Sequence, residues 1–82
     1  MGKKVKVNTQ IDDIILEVLG DEIKREDIKP EVSLTEDYGV NSLKMLEIAL
    51  TISADFDIDV PKEEVADLST IQDIYDFVQN HS

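Results

Sequence analysis

The sequence predicts an all-α domain: a small antiparallel bundle of three main helices plus one short helix, with a long loop between helices 1 and 2. Apolar residues recur at helical spacing in three separate stretches, and no stretch alternates apolar and polar residues as a half-buried strand does. The chain has 82 residues, of which 41% are hydrophobic. This is enough for one small core and too much for a solvated disordered tail. We therefore expect residues 1–82 to form a single domain.

The first helix is predicted from one apolar stripe. Its members repeat at the spacing of one helix face: Ile11, Ile14, Ile15, Val18 and Leu19. Asn8 or Thr9 is suited to cap the start of this helix, and Gly20 is suited to the left-handed position at its end. Residues 1–7 hold three of the eight basic side chains and are expected to form a flexible leader.

Residues 21–40 are predicted to be a loop, because they show no sustained period and contain Pro30 and Gly39. Four apolar residues are expected to anchor this loop in the core: Ile23, Ile28, Val32 and Leu34. A loop of this length in a compact domain is usually functional or partly ordered.

The second helix is predicted from about Ser42 to about Asp55. It carries two neighbouring apolar rows, one of Leu43, Leu46 and Leu50 and the other of Met45, Ile48, Ala49, Ile52 and Phe56. A stripe of this width exceeds what a surface helix needs, so this helix is expected to be the most central one.

Two further helices are predicted near the C-terminus. Pro61 fits the first turn of a short helix that runs to about Asp67. Residues 70–73 (TIQD) resemble a capping box in which Asp73 replaces the usual Glu or Gln. The apolar face of the last helix then consists of Ile71, Ile74, Tyr75 and Val78.

The charge of the chain limits its partners. Eight Lys and Arg residues against 19 Asp and Glu residues give a formal net charge of −11. Such a surface repels nucleic acid phosphates and anionic membranes and favours a basic patch on a protein partner. No apolar run approaches the roughly 20 residues that span a bilayer. We therefore expect a cytoplasmic monomer that neither binds nucleic acid nor inserts into membranes.

No catalytic residue is expected. The only histidine, His81, stands next to the C-terminus. Ser42 lacks the second glycine of a G-x-S-x-G nucleophile elbow and has no nearby histidine in the sequence to take its proton. The absence of cysteine excludes a disulfide framework and a thiolate nucleophile.

The acidic segment after the second helix begins like a calcium-binding EF-hand loop, with Asp55, Asp57 and Asp59 at alternate positions. Position six of that loop requires Gly and is Val60, and position twelve requires Glu and is Ala66. We therefore interpret this segment as a solvated acidic corner and predict no metal site.

Ser42 is better suited to accept a modification. It follows Gly39, which lets the chain turn, and it stands at the start of the predicted central helix. A phosphate ester on its oxygen would face unpaired backbone N–H groups and the positive end of the helix dipole. The alternative is an ordinary residue at a helix start, capped by Asn41.

Three segments in register resemble acyl carrier proteins. Residues 37–43 (DYGVNSL) resemble the loop and D-S-L attachment motif of that family, and residues 56–61 (FDIDVP) resemble its F-x-x-x-I-P segment. Residues 68–73 (LSTIQD) resemble its I-T-T-V-Q-D opening of the last helix. The resemblance covers about residues 8–80.

The resemblance implies a non-enzymatic carrier. In this family a phosphopantetheinyl transferase moves 4′-phosphopantetheine from coenzyme A onto the motif serine, which here is Ser42, flanked by Asn41 and Leu43. The thiol of this arm holds acyl groups as thioesters for acyl-transferring and acyl-synthesising enzymes of fatty acid, lipid or polyketide biosynthesis. The residues that would shelter the acyl chain are Leu46, Ile52, Phe56, Val60, Val65, Leu68 and Ile74. Core packing is the alternative role for each of them.

The chain departs from the family pattern at charged positions. Asn41 replaces the Asp of the motif, and Lys44 stands where an acidic residue is usual. The residues expected to face partners with basic docking patches are Glu36, Asp37, Lys44, Glu47 and Asp55. Because rim charges mainly steer encounter and select partners, we expect a specialised carrier.

Two alternatives to an acyl carrier remain from the sequence. One is a carrier of aminoacyl cargo, such as a peptidyl or D-alanyl carrier protein. The other is an unmodified helical module for protein interaction. The large negative charge favours the acyl type, whereas the length of the cargo and the pathway are not determined by the sequence.

Overall fold

Five α-helices lie between Gly2 and His81 in the computed structural model, which describes the backbone of residues 2–81 and the side chains of residues 7–81. They are α1 (Gly2–Leu19), α2 (Leu34–Asp37), α3 (Ser42–Phe56), α4 (Lys62–Asp67) and α5 (Ile71–His81). Two 3₁₀ turns, Gly20–Glu22 and Arg25–Asp27, interrupt the segment between α1 and α2. No strand forms within residues 2–81, where Ser33 and Thr70 make a single isolated bridge. The predicted all-α bundle is confirmed.

The helix α1 begins earlier than predicted. It begins at Gly2, so Asn8 and Thr9 lie inside the helix and do not cap it. Lysine is a good helix former, and Val7 extends the apolar stripe one turn before Ile11 and packs against the core. The predicted leader is therefore helical over residues 2–7. Its flexibility stays a prediction, and Met1 lies outside the described residues.

The core is formed mainly by α1, α3 and α5. The helix α1 packs against both α3 and α5, and α4 packs against α3. The side chains that are almost completely buried are Ile11, Ile15, Leu34, Ile48, Ile52, Ile71, Ile74 and Val78. A core built from β-branched side chains of α1, α3 and α5, with Leu34 of α2, gives the site a rigid support.

The long loop between α1 and α3 is anchored as predicted. Ile23 and Leu34 are buried, and Ile28 and Val32 pack against the core. The amide of Ile71 donates to the carbonyl of Val32 at 2.9 Å, which joins this loop to the start of α5. The short helix α2, which the periodicity did not reveal, begins after Ser33, whose hydroxyl accepts the amide of Glu36 at 3.2 Å.

The apolar stripe of α3 is only partly buried. The row of Met45, Ile48, Ala49 and Ile52 lies in the core, whereas Leu43 and Leu50 of the other row are 64% and 61% exposed. Leu43 lies at the groove between α3 and the six-residue helix α4, whereas Leu50 lies on the side of α3 that faces α1. Both ends of the Leu43 row are therefore exposed, although the width of the apolar stripe predicted a central helix.

The capping box of α5 is present. The hydroxyl of Thr70 accepts the amide of Asp73 at 3.2 Å, and the carboxylate of Asp73 accepts the amide of Thr70 at 3.1 Å. Pro61 directly precedes α4 and acts as its N-cap residue. Both helix starts therefore lie within one residue of their predicted positions.

Polar contacts connect α1 to its neighbours. The hydroxyl of Tyr75 donates to the carboxylate of Asp12 at 2.5 Å, and the side-chain amide of Gln79 donates to the side-chain oxygen of Asn8 at 2.8 Å. Arg25 forms an ion pair with Asp13.

No helix in the described chain is both long enough and apolar enough to cross a membrane.

Candidate functional site

The turn before α3 sets the position of Ser42. Gly39 has a φ of 63°, in the left-handed region that favours glycine. Val40 is buried, and its amide donates to the carbonyl of Leu34 at 3.0 Å. The side chain of Asn41 then accepts the amide of Lys44 at 2.9 Å, which caps α3. The turn therefore presents Ser42 as the first residue of α3.

The hydroxyl of Ser42 is exposed and makes no hydrogen bond to the described part of the chain. The backbone N–H groups of Ser42 and Leu43 likewise have no acceptor among residues 2–81. These groups carry the positive end of the dipole of α3. An anion linked to the oxygen of Ser42 would meet two free donors.

Tyr38, in the same turn, is half-buried. Burial raises the pKa of its hydroxyl, and the carboxylates of Asp27 and Asp37 raise this pKa further. The hydroxyl of Tyr38 therefore remains protonated at neutral pH.

A groove of about 510 Å³ opens beside Ser42. It lies between the first turns of α3 and the helix α4, and it reaches the segment before α5. Its lining consists of Thr35, Ser42, Leu43, Met45, Leu46, Lys62, Val65, Ala66, Leu68 and Ser69. A volume in this range is typical of sites that enclose a small organic ligand.

The seven residues predicted to shelter an acyl chain do not all lie in the same place. Leu46, Val65 and Leu68 line the groove beside Ser42. Leu68 also lines a second cavity of about 10 Å³ in the core, together with Ile52, Val60 and Ile74. Phe56 is half-buried against the core and lines neither space. That these residues shelter an acyl chain stays a prediction.

The second cavity is very small. A volume of about 10 Å³ is at the lower limit for a single water molecule. Met45, which the sequence analysis assigned only to the core, lines both this cavity and the groove, as Leu68 does. These two side chains therefore separate the groove from the core. The three-residue spacing from Ser42 to Met45 on one helix could have indicated this position.

The residues predicted to face partners lie on α2 and along α3. Glu36 and Asp37 are exposed on α2, and the carboxylate of Asp37 accepts the amide of Ser33 at 2.9 Å. Lys44 pairs with Glu47 at 3.6 Å on α3. Asp55 is exposed in the last turn of the same helix.

The sequence did not indicate that an apolar side chain, Leu50, is part of this exposed surface. Leu50 is exposed one heptad after Leu43, on the same face of α3. It borders a shallow depression between α1 and α3 that Glu17, Val18 and Glu47 also line. The seven-residue spacing of Leu43 and Leu50 was visible in the sequence. The exposure of Leu50 depends on how α1 lies against α3, which the sequence does not show.

Neither His81 nor the acidic corner contributes to the groove. A ring nitrogen of His81 lies 2.8 Å from the carbonyl oxygen of Phe77, and the two rings stack with centroids 4.1 Å apart. Asp57 adopts the left-handed conformation that ends α3. Among the described residues, no group of three or more histidine or acidic side chains is arranged to hold a metal ion.

Comparisons with known proteins bear on this site. The family model described as "Phosphopantetheine attachment site" matches residues 9–78. The fold is similar to the solution structure of the apo doublet acyl carrier protein from prodigiosin biosynthesis, with a TM-score of 0.83 and 21% sequence identity. That match covers 100% of this chain and 38% of the other chain. The chain thus spans well under half the length of the structure that it matches.

Proposed function

The chain belongs to the phosphopantetheine-attachment family, and on that premise we propose that it is an acyl carrier protein whose 4′-phosphopantetheine arm is attached to Ser42. The family consists of carrier domains, which are not themselves catalytic. Its members carry a covalently attached 4′-phosphopantetheine group. The observation that carries the assignment to Ser42 is its exposed, unbonded hydroxyl at the start of α3 and beside the groove.

The other serines of the described chain fit an attachment role less well. The hydroxyl of Ser33 is buried and caps α2. The hydroxyl of Ser53 donates to the carbonyl of Ile58 at 2.6 Å. Ser69 lines the groove but lies between helices, two residues before α5. Ser42 alone among these four combines exposure with a position on a long helix.

The attachment forms one bond and breaks one. The oxygen of Ser42 bonds to the phosphorus that carries the pantetheine group, and the pyrophosphate bond of coenzyme A breaks to release adenosine 3′,5′-bisphosphate. The proton of the hydroxyl goes to a base on the transferase, since no side chain of the described residues is bonded to this hydroxyl. The free N–H groups of Ser42 and Leu43 stabilise the resulting phosphodiester.

Once attached, the arm supplies the thiol that this chain, which has no cysteine, does not contain. The apolar groove wall of Leu46, Val65 and Leu68 offers a surface for an acyl chain. The net charge of −11 favours acyl cargo and enzymes with basic docking patches, as in fatty acid, lipid or polyketide biosynthesis. The proposal places the protein in the cytoplasm as a monomer, with Glu36, Asp37, Glu47 and Asp55 facing these partners.

The experiment is an intact-mass measurement after incubation with coenzyme A and a broad-specificity phosphopantetheinyl transferase. We expect the wild type to gain the mass of one phosphopantetheine group and Ser42→Ala to gain none. Ser69→Ala is the matched control, because Ser69 lines the same groove and its replacement leaves Ser42 intact.

Two results would contradict the proposal. Modification of Ser42→Ala would place the arm on another residue. A wild type that stays unmodified with several transferases, while an established carrier protein is modified in the same tube, would favour the helical interaction module. If the wild type is modified, thioester trapping from native cells distinguishes acyl from aminoacyl cargo.

A further inference from the structure

The charge of the groove beside Ser42 differs from the charge of the whole chain. Acidic residues outnumber basic ones by 19 to 8. Among the described residues that line this groove, Lys62 is the only charged one. The lining of the groove therefore contains one exposed basic side chain and no acidic one, in a strongly acidic protein.

The ammonium group of Lys62 is not neutralised by a neighbour. Arg25 pairs with Asp13 and Lys44 pairs with Glu47, but within residues 7–81 no carboxylate lies within 4.0 Å of the Lys62 amine. The next two residues, Glu63 and Glu64, are exposed and do not line the groove. An anion in the groove would find Lys62 available.

The rest of the lining suits a chain with alternating polar and apolar groups. Leu46, Val65 and Leu68 form an apolar wall, while Thr35 and Ser69 add hydroxyl groups. The hydroxyl of Thr35 contacts that of Ser33 at 3.3 Å and retains further hydrogen-bonding capacity. Ser42 lies on the same lining, so a group linked to its oxygen starts inside the groove.

We propose that Lys62 binds an anionic oxygen group on the chain tethered to Ser42 and so holds the tethered arm in the groove. The inference rests on the proposed function. Two sources supply the same chemistry: the phosphodiester of the arm itself, or a carboxylate at the end of the cargo. Lys62 is exposed, so its attraction to such an anion weakens as salt is added.

The test uses the ¹⁵N-labelled 82-residue chain in four states: unmodified, carrying the free arm, carrying an acetyl thioester and carrying a malonyl thioester. The readouts are the amide chemical shifts of α4 and the ³¹P shift of the phosphodiester. Lys62→Gln is compared with Lys24→Gln, which removes the same charge from an exposed side chain between the two 3₁₀ turns. Intact mass confirms the state of each sample.

We expect attachment of the arm to shift the α4 amides in the wild type and in Lys24→Gln, and to shift them about half as much or less in Lys62→Gln. A Lys62-dependent shift with the free arm identifies the phosphodiester as the anion. A Lys62-dependent shift with malonyl but not with acetyl cargo identifies the carboxylate.

Equal α4 and ³¹P shifts in the wild type and in Lys62→Gln, in all states of the fully modified protein, would overturn the inference and leave the proposed function intact. Failure to modify Ser42 would instead overturn the proposed function, and this inference with it. The two failures are therefore distinguishable by mass.

Discussion

Asn41 shows how much of the site depends on one side chain. Its side-chain oxygen accepts the amide of Lys44 at 2.9 Å, and its carbonyl accepts the amide of Met45 at 3.1 Å. The first bond satisfies a donor at the start of α3 that would otherwise be unpaired. The identity of the side chain therefore affects both the stability of α3 and the presentation of Ser42. This role was predictable from the sequence, because a cap contacts residues only three positions away.

Replacement of Asn41 by Ala is expected to lower the free energy of unfolding by about 1 kcal/mol, since the cap hydrogen bond is lost. For a domain of this size this corresponds to a fall in Tm of about 4–8 °C. Thermal unfolding followed by circular dichroism measures it. Asn41→Asp is the matched control, because Asp caps about as well as Asn. A comparable loss in both variants would show that the cap is not the cause.

At the scale of the elements, α1 and α5 are joined by a hydrogen bond between partly buried groups. Burial raises the pKa of Asp12 above its ordinary value of 3.8, although the hydrogen bond from Tyr75 acts in the opposite direction. Burial also raises the pKa of Tyr75, and the hydrogen bond to Asp12 raises this pKa further. The raised pKa of Asp12 means that the folded state binds a proton more tightly than the unfolded state does. The stabilisation from Asp12 is therefore complete below pH 3.8 and is lost as pH rises through the higher folded pKa.

Asp12→Asn is expected to be more stable than the wild type at neutral pH, by well under about 1 kcal/mol, because the carboxyl group is partly exposed. The amide oxygen of the new side chain still accepts the hydroxyl of Tyr75, and the ionised carboxylate is gone. Below pH 3.8 the wild-type carboxyl is protonated and the difference should disappear. Urea unfolding at the two pH values measures the change.

The matched control is Asp13→Asn, which removes the exposed ion pair with Arg25 and should give no gain at neutral pH. An equal gain for Asp12→Asn at both pH values would contradict the explanation by burial. The contact between Asp12 and Tyr75 joins residues 63 positions apart. Helical periodicity assigned Asp12 and Tyr75 to their helices, but it could not predict the hydrogen bond between them.

At the scale of the whole molecule, the net charge of −11 opposes folding. Self-repulsion among like charges destabilises the compact state, and salt screens it over a Debye length of roughly 10 Å at 0.1 M. The compact fold has a radius of gyration of 11.5 Å. Charges on opposite sides of the molecule therefore interact appreciably only at low ionic strength.

Addition of NaCl from low ionic strength to about 0.2 M is expected to raise Tm by several degrees, because screening weakens the repulsion. Differential scanning calorimetry measures this shift. A neutral osmolyte at equal osmolality is the control for effects other than screening. A Tm that falls or stays constant with salt would mean that the surface ion pairs outweigh the repulsion.

The predictions that held depended on short-range features. Hydrogen bonds within one turn and the 3.6-residue period set α3, α4, the capping box of Asp73 and the turn at Gly39. These features are visible along the chain because the interacting groups are at most a few residues apart. For the same reason Ser42 could be singled out at the start of α3 before any contact was known.

The features that could be learned only from the folded chain all concern which face of each helix is covered by a neighbouring helix. The exposure of Leu43 and Leu50 depends on how α4 and α1 lie against α3, and the division of the sheltering residues depends on where α4 and α5 meet α3. The position of Lys62 on the wall beside Ser42 likewise joins residues 20 positions apart. Periodicity assigns a side chain to a face of its own helix. The burial of that face is decided by the length and placement of a neighbouring helix, and no local pattern encodes these.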